Sequence, residues 1–121
     1  LLPAFLLLLT SFQADMPAEV DFVEVPVLVI GGGTSGVMAA IQSARMGVKT
    51  VLVEEGPWLG GMLTAAGVSA IDGNHELPSG LWGEFRAELE NHYGGAKELA
   101  TGWVSNTQFE PSVGAKILRE M

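Results

Sequence analysis

The chain has 121 residues, of which 14 are acidic and 6 are basic, giving a formal net charge of −8. This excess of negative charge argues against binding to nucleic acid or to an anionic membrane surface. The sequence has no cysteine, which excludes disulfides, a redox-active cysteine pair and iron–sulfur ligation by these residues. The length is near the low end for one domain, so the sequence is one domain or part of one.

The N-terminal residues resemble a secretory signal peptide, because 1–9 form an apolar run and Ala14 suits the last position before a cleavage site. The run is too short to span a bilayer, which takes about 20 apolar residues. We expect 1–14 to be a signal peptide that lacks its start, and 15–23 to be a solvated acidic linker. The protein would then be exported from a bacterium, to the periplasm or outside, without stable membrane insertion after cleavage. A truncated membrane anchor is the alternative.

A glycine turn follows the first predicted strand. The strand is the apolar run 25–30, and Gly31, Gly33 and Gly36 come next in the spacing G-x-G-x-x-G. The spacing alone is a weak signal in a chain with 16 glycines. It becomes specific when a strand precedes it, a helix follows it and an acidic residue lies about 20 residues further on.

The helix and second strand of this unit are both indicated. Apolar residues recur at the helical spacing i, i+3, i+4 and i+7, at Val37, Ala40, Ile41 and Ala44. The run 48–53 then predicts a strand buried in a parallel sheet, and Glu54 ends it. We therefore predict an α/β protein with a Rossmann-like dinucleotide-binding fold, of which 24–121 form the N-terminal βαβ unit and the helices that follow.

Each glycine of the turn has a stereochemical reason in a site for an adenine dinucleotide. Gly31 leaves the strand in a tight turn that a side chain would restrict. Gly33 lacks a Cβ atom, so a pyrophosphate can approach its backbone. Gly36 allows the helix to pack close to the strand. A glycine-rich turn that binds nothing is the alternative.

The remaining predicted contacts come from the helix start and the acid. The helix begins near Thr34 and Ser35 and directs free N–H groups, with a dipole of roughly half a charge, at the pyrophosphate. The carboxylate of Glu54 would accept hydrogen bonds from the adenosine ribose hydroxyls. Its charge would repel a 2′-phosphate, which disfavours an NADP-type ligand. These residues do not distinguish FAD from NAD, because both ligands contain the same ADP half.

Three later segments carry a family resemblance. The segment 59–64 (Leu-Gly-Gly-Met-Leu-Thr) resembles flavoproteins of the glutathione-reductase-like superfamily, which have a second glycine pair after the ribose-binding acid. Together with 82–85 and 109–113, it resembles a family of bacterial FAD-dependent oxidoreductases that is grouped with the flavin subunit of heterodisulfide reductase. Ser112 stands where that family often has histidine, so no role is carried over to it.

The resemblance implies FAD as the cofactor, a small-molecule substrate and an electron acceptor of unknown identity. It implies further cofactor-binding residues after Glu54. These are Glu55 and, along the ribityl side of FAD, Gly60, Gly61 and Met62. An iron–sulfur cluster, as in relatives of that family, would need ligands from outside these residues. No metal site and no catalytic residue are predicted.

Two strands cannot bury both faces of a parallel sheet, and a dinucleotide fold needs a second half. The chain begins at Leu1 and ends at Met121 within a helical pattern, so we expect the first third or less of a longer enzyme. Two alternatives stay open. One is an NAD-binding dehydrogenase domain, and the other is a non-catalytic exported α/β module or the product of a broken gene.

The C-terminal half predicts two helices, at 79–93 and 111–121, with a loop or short strand at 101–107 between them. Leu81, Phe85 and Leu89 form the apolar stripe of the first helix, which is typical of core packing. His75 and His92 are expected to be surface residues. Because some relatives attach flavin through histidine, His75 is a candidate for covalent attachment.

Overall fold

A computed structural model describes residues 22–101 and 105–121 of the chain. The predicted signal peptide at 1–14 and residues 15–21 of the predicted linker lie outside this part. Phe22 and Val23, which end the linker, are exposed. Within the described residues, no helix is both long and apolar enough to cross a membrane.

The predicted strand–helix–strand unit is present, with β1 at Val27–Ile30, α1 at Thr34–Arg45 and β2 at Thr50–Val53. The two strands pair in parallel, from Val27 opposite Thr50 to Ile30 opposite Val53. Both predicted strands, 25–30 and 48–53, start two residues too early. Val48 still belongs to the helix end, because its N–H donates to the carbonyl of Ser43 at 3.2 Å.

The two faces of this sheet differ in burial. Helix α1 packs on one face, where Val37 is 1% exposed. On the opposite face, the side chains of Leu28, Ile30 and Val53 are 57%, 73% and 47% exposed. Parallel sheets are normally covered on both faces, so this unit leaves apolar strand surface that it does not cover itself. Ala44, predicted on the packed face of α1, is instead exposed and lines a surface groove with Thr50 and Leu52.

Three further helices follow, with α2 at Gly80–Tyr93, α3 at Ala96–Leu99 and α4 at Pro111–Glu120. Both long helices were predicted to within one residue at each end. Helix α2 ends at Gly94, whose φ of +89° is the left-handed conformation common after a helix. The short helix α3 and a 3₁₀ turn at Gly61–Leu63 were not predicted.

The core lies mainly between α2, α3 and α4, where Phe85, Leu89, Leu99 and Leu118 are at most 2% exposed. The rings of Phe85 and Phe109 meet edge to face, with centroids 5.5 Å apart. Helix α4 approaches Phe109 at Gly114, where a Cβ atom would lie 2.5 Å from ring atom Cε2. Leu118 at the end of α4 also contacts the loop after β2 at Gly60, so the helical core packs against the segment that contains the second glycine pair.

Candidate dinucleotide site

The glycine turn, residues 31–36, begins with the tight turn at Gly31 that was predicted. Gly31 has a φ of +96°, which side-chain-bearing residues rarely adopt. Its N–H donates to the carbonyl of Val53 at 2.8 Å. The turn therefore starts as a continuation of the strand pairing, at the carboxyl end of the two parallel strands.

Gly36 brings α1 close to the turn. A Cβ atom at this position would lie 2.0 Å from the carbonyl oxygen of Gly31 and 3.5 Å from Cγ1 of Val29. No side chain fits between backbone atoms at that distance. The absence of a side chain at Gly36 is therefore required by the packing of helix on strand.

Gly33 is different, because nothing in the described part of the chain requires glycine there. Its φ of −63° and ψ of 172° are open to any residue, and a Cβ atom would meet nothing within 4 Å. Its carbonyl accepts the N–H of Val37 at 2.9 Å, the first bond of α1. The N–H groups of Thr34 and Ser35 precede that bond, so they are left without helix partners beside an open surface.

Glu54, directly after β2, reaches back to the glycine turn. Its Oε2 atom accepts the N–H of Gly32 at 2.5 Å, and Oε1 accepts the N–H of Gly56 at 3.0 Å. These bonds from the backbone of Gly56 and Gly32 lower the pKa of Glu54 below its ordinary 4.5, since they favour the charged form. The lowered pKa keeps Glu54 ionised at neutral pH. A carboxylate has about four acceptor positions, so Glu54 has positions left for ligand hydroxyls.

Sequence reasoning missed Gly32, the middle residue of the triple glycine. It is buried, and a Cβ atom there would lie 2.8 Å from Cδ2 of Leu59 and 2.9 Å from both Cβ and Oε2 of Glu54. The G-x-G-x-x-G pattern treats this position as free. The available signal was a third glycine in a position that the pattern does not specify.

The second glycine pair, Gly60 and Gly61, lies against the glycine turn. The N–H of Gly60 donates to the carbonyl of Gly32 at 2.7 Å, and Gly33 and Gly60 form a parallel bridge. The hydroxyl of Thr34 donates to the carbonyl of Gly60 at 2.9 Å. Residues 26 positions apart in sequence are thus joined into one surface.

Packing within the chain explains why both residues of this pair are glycine. Gly60 has a φ of +112°, and its Cβ atom would lie 2.6 Å from Cδ1 of Leu118. At Gly61, with φ of +57°, a Cβ atom would lie 3.0 Å from Cα of Gly33. The other two residues predicted to bind the cofactor are on the surface, with Glu55 exposed and Met62 66% exposed.

The other residues that the sequence singled out lie apart from these contacts. His75 is within 3.4 Å of the side-chain amide of Asn106 and lines a groove with Arg86. His92 is exposed and packs edge to face on Tyr93. Ser112 is exposed on α4. Among residues 22–101 and 105–121, no group of three or more potential ligand side chains is placed to hold a metal ion.

Known proteins resemble this chain over different lengths. Carotenoid phi-ring synthase of Chlorobaculum tepidum is 30% identical over 91 residues, which are 75% of this chain and 13% of that protein. Mitochondrial dihydrolipoyl dehydrogenase of Mus musculus is 50% identical over 48 residues, covering 40% of this chain and 8% of the enzyme. An iron–sulfur subunit of the CoB–CoM heterodisulfide reductase of Methanopyrus kandleri is 47% identical over 47 residues, covering 39% and 7%.

The chain therefore spans less than a seventh of the length of these relatives. No solved structure matches it significantly. The protein family described as FAD dependent oxidoreductase matches residues 26–121, which include the glycine turn, Glu54, the second glycine pair and α4. The chain belongs to the family of FAD-dependent oxidoreductases.

Proposed function

We propose that residues 24–121 are the N-terminal part of an FAD-binding domain and hold the ADP half of FAD in an oxidoreductase. The observation that carries this proposal is Gly33. Its backbone conformation suits any residue and its missing Cβ atom would meet nothing, so the fold itself gives no reason for glycine. A ligand that approaches this backbone closely supplies the reason.

The charge pattern around Gly33 suits a pyrophosphate. The N–H groups of Thr34 and Ser35 stand at the start of α1, where donors without a helical partner and the helix dipole favour an anion. No acidic residue lies in the first turn of α1. In our proposal these N–H groups, the open backbone of Gly33 and the tight turn at Gly31 hold the pyrophosphate, while Gly36 sets the distance between helix and strand.

Glu54 is proposed to bind the adenosine ribose. Its carboxylate is fixed at the turn by Gly32 and Gly56 and keeps acceptor positions for two hydroxyl groups. Fixing the carboxylate before the ligand arrives reduces the ordering that binding would otherwise require. Its negative charge also works against a 2′-phosphate at this position.

The exposed residues Glu55 and Met62 continue from this site along the second glycine pair, and we propose that the ribityl side of FAD lies there. Bound FAD supplies the redox chemistry by accepting a hydride or electrons, whereas these residues bind and orient it. No residue among those described is proposed to react with substrate. The small-molecule substrate and the electron acceptor belong to the whole enzyme.

The case for FAD over an NAD-binding domain loses one argument and gains another. The second glycine pair had favoured FAD, but packing against Gly33 and Leu118 is reason enough for these glycines. The match of residues 26–121 to FAD-dependent oxidoreductases supports FAD instead.

The Methanopyrus kandleri relative is named as an iron–sulfur protein. With no cysteine in 121 residues, a cluster in this protein would need ligands from elsewhere.

Export remains part of the proposal, resting on the apolar run 1–9. Its test is the size of the protein in a periplasmic fraction of the producing bacterium. A product shortened by the leader supports export, whereas a full-length product retained in the cytoplasm contradicts it.

The cofactor is tested with the protein made from the complete gene. We expect a flavin absorption spectrum that moves to the supernatant on acid precipitation. A yellow pellet would instead indicate covalent flavin and bring His75 forward. A colourless protein that cannot be reconstituted with FAD contradicts the proposal, and binding of NAD by that protein would favour a dehydrogenase domain.

The site is tested with a charge-matched pair of variants. Glu54→Ala should raise the Kd for FAD on the order of tenfold or more, because the ribose loses a charged acceptor. Glu88→Ala removes the same charge from an exposed position on α2 and should leave the Kd unchanged. Equal affinity in both variants would contradict the assignment of Glu54.

A further inference from the structure

We propose that Thr34 is a positioning residue, whose hydroxyl fixes the second glycine pair against the glycine turn so that both sides of the FAD site keep one arrangement. This inference rests on the proposed function of the site. In the sequence pattern Thr34 counts only as one of the helix-start residues near the pyrophosphate. In the structure its backbone and its side chain serve two different segments.

The peptide groups of Gly60 are tied to the glycine turn on both sides. The N–H of Gly60 donates to the carbonyl of Gly32 at 2.7 Å, and the carbonyl of Gly60 accepts the hydroxyl of Thr34 at 2.9 Å. The first bond belongs to the backbone and survives any side-chain substitution. The second depends entirely on the hydroxyl of residue 34.

The bond from Thr34 acts at the start of the 3₁₀ turn Gly61–Leu63. The carbonyl of Gly60 also accepts the N–H of Leu63, at 3.2 Å, which closes that turn. Thr34 therefore links the first carbonyl of the 3₁₀ turn to the first residue of α1. Beyond the turn, the hydroxyl of Thr64 donates to the carbonyl of Leu59 at 2.6 Å, so the segment is already closed on its other side.

The two glycines increase the importance of this link. Gly60 and Gly61 both have positive φ and carry no side chains that could hold the segment by packing. Glycine also has more backbone freedom to lose than any other residue. Because Gly60 and Gly61 lie beside the open backbone of Gly33, movement of this pair would change the surface that we assign to FAD.

The structure offers a matched control for the hydroxyl. Thr50 at the start of β2 is half-buried like Thr34, and its hydroxyl also donates to a backbone carbonyl at 2.9 Å, that of Val48. Thr34→Val and Thr50→Val therefore remove similar bonds with the same change in shape. Thr34→Ser keeps the hydroxyl and serves as the conservative variant.

The experiment measures FAD binding to each variant of the complete protein after removal of the flavin. We expect Thr34→Val to raise the Kd roughly three- to tenfold, the range that loss of one hydrogen bond produces. Thr34→Ser should restore binding to within about twofold. Thr50→Val should lower thermal stability to a similar extent as Thr34→Val but leave the Kd for FAD unchanged.

Hydrogen exchange of the flavin-free protein separates this inference from the proposed function. Thr34→Val should speed exchange of the amides of residues 61–64, and Thr50→Val should not. If the unsubstituted protein binds FAD and Thr34→Val binds it equally well, the positioning role is wrong. If the unsubstituted protein binds no FAD, the proposed function fails, and unchanged exchange in 61–64 would overturn the positioning role as well.

Discussion

The glycine turn at 31–36 and the second glycine pair look alike in sequence but differ in what their glycines are for. At Gly60 and Gly61 the missing side chains are explained by Leu118 and by the backbone of Gly33. In the glycine turn, Gly32 and Gly36 are explained in the same way, by Glu54 and by the carbonyl of Gly31. Gly33 alone among these five faces open space in an ordinary conformation.

This difference shows that glycine spacing mixes two kinds of requirement. Some glycines in a dinucleotide motif let helix, strand and loop approach one another, and others leave room for a ligand. Only the position of the missing Cβ atom separates the two. We therefore expect substitutions of these glycines and of Glu54 to differ widely in their effect on folding stability.

The largest loss of stability is expected for Gly36→Ala. The new Cβ atom would lie 2.0 Å from the backbone oxygen of Gly31, and backbone cannot move aside without breaking the contact between α1 and β1. We expect the free energy of unfolding to fall by about 3 kcal/mol or more, the upper range for overpacking. Thermal or urea unfolding of the complete protein measures it, and a loss below about 1 kcal/mol would contradict the observed packing.

A smaller loss is expected for Gly60→Ala, because the atoms nearest to its Cβ belong to the side chains of Leu118 and Thr64, which can shift. The φ of +112° remains unfavourable, so we expect a loss of about 1–3 kcal/mol. Leu118→Ala provides the matching second substitution. The double variant should be less destabilised than the sum of the two single variants, whereas strict additivity would mean that the contact is absent.

Local patterns were sufficient to predict the longer elements of the fold. Apolar patterns and glycine stops predicted α2 and α4 to within one residue at each end and the two strands to within two residues, because each pattern lies within a short window. The short helix α3 has only four residues, Ala96–Leu99, and no apolar periodicity to reveal it. The charged residue Arg86 of α2 also escapes the local pattern, since its side chain is only 18% exposed, pairs with Glu90 at 2.7 Å and lines the groove near His75.

The candidate site was predictable as a set of positions but not as a set of contacts. The strand, the turn and the acid follow from sequence, since a βαβ unit brings them to the same edge of the sheet. The bond from Thr34 to Gly60 and the bond from Gly32 to Glu54 join residues 26 and 22 positions apart. Such bonds depend on tertiary approach, and no local spacing rule contains them.

Glu54→Gln should lower the free energy of unfolding at neutral pH but not in acid, where Glu54 is protonated. The lowered pKa of Glu54 means that its ionised form stabilises the folded state above its ordinary pKa of 4.5, and this contribution is lost as the pH falls through the lowered folded value. We therefore expect the midpoint of thermal unfolding to be lower than that of the unsubstituted protein at about pH 7, with the difference narrowing below pH 4.5. Glu88→Gln, on the exposed face of α2, should leave the midpoint nearly unchanged at both ends of this range. A difference for Glu54→Gln that does not depend on pH would contradict the charged bonds to Gly32 and Gly56.

The smallest effect on folding, and the most informative one for the site, is expected for Gly33→Ala. Because the backbone at Gly33 suits alanine and the new Cβ atom meets nothing within 4 Å, stability should stay the same or rise by no more than about 1 kcal/mol, through the reduced freedom of the unfolded chain. The same methyl group would stand where the pyrophosphate must approach, so the Kd for FAD should rise about tenfold or more, and Gly33→Val should abolish binding. Unfolding curves and FAD titrations of the same protein samples measure both quantities. A protein that keeps its stability and loses FAD would locate the ligand at this glycine, because neither misfolding nor a distant change would separate the two effects. If Gly33→Ala bound FAD as tightly as the unsubstituted protein, Gly33 would be no different from a glycine on an ordinary surface loop, and the site would have to be sought elsewhere on the chain.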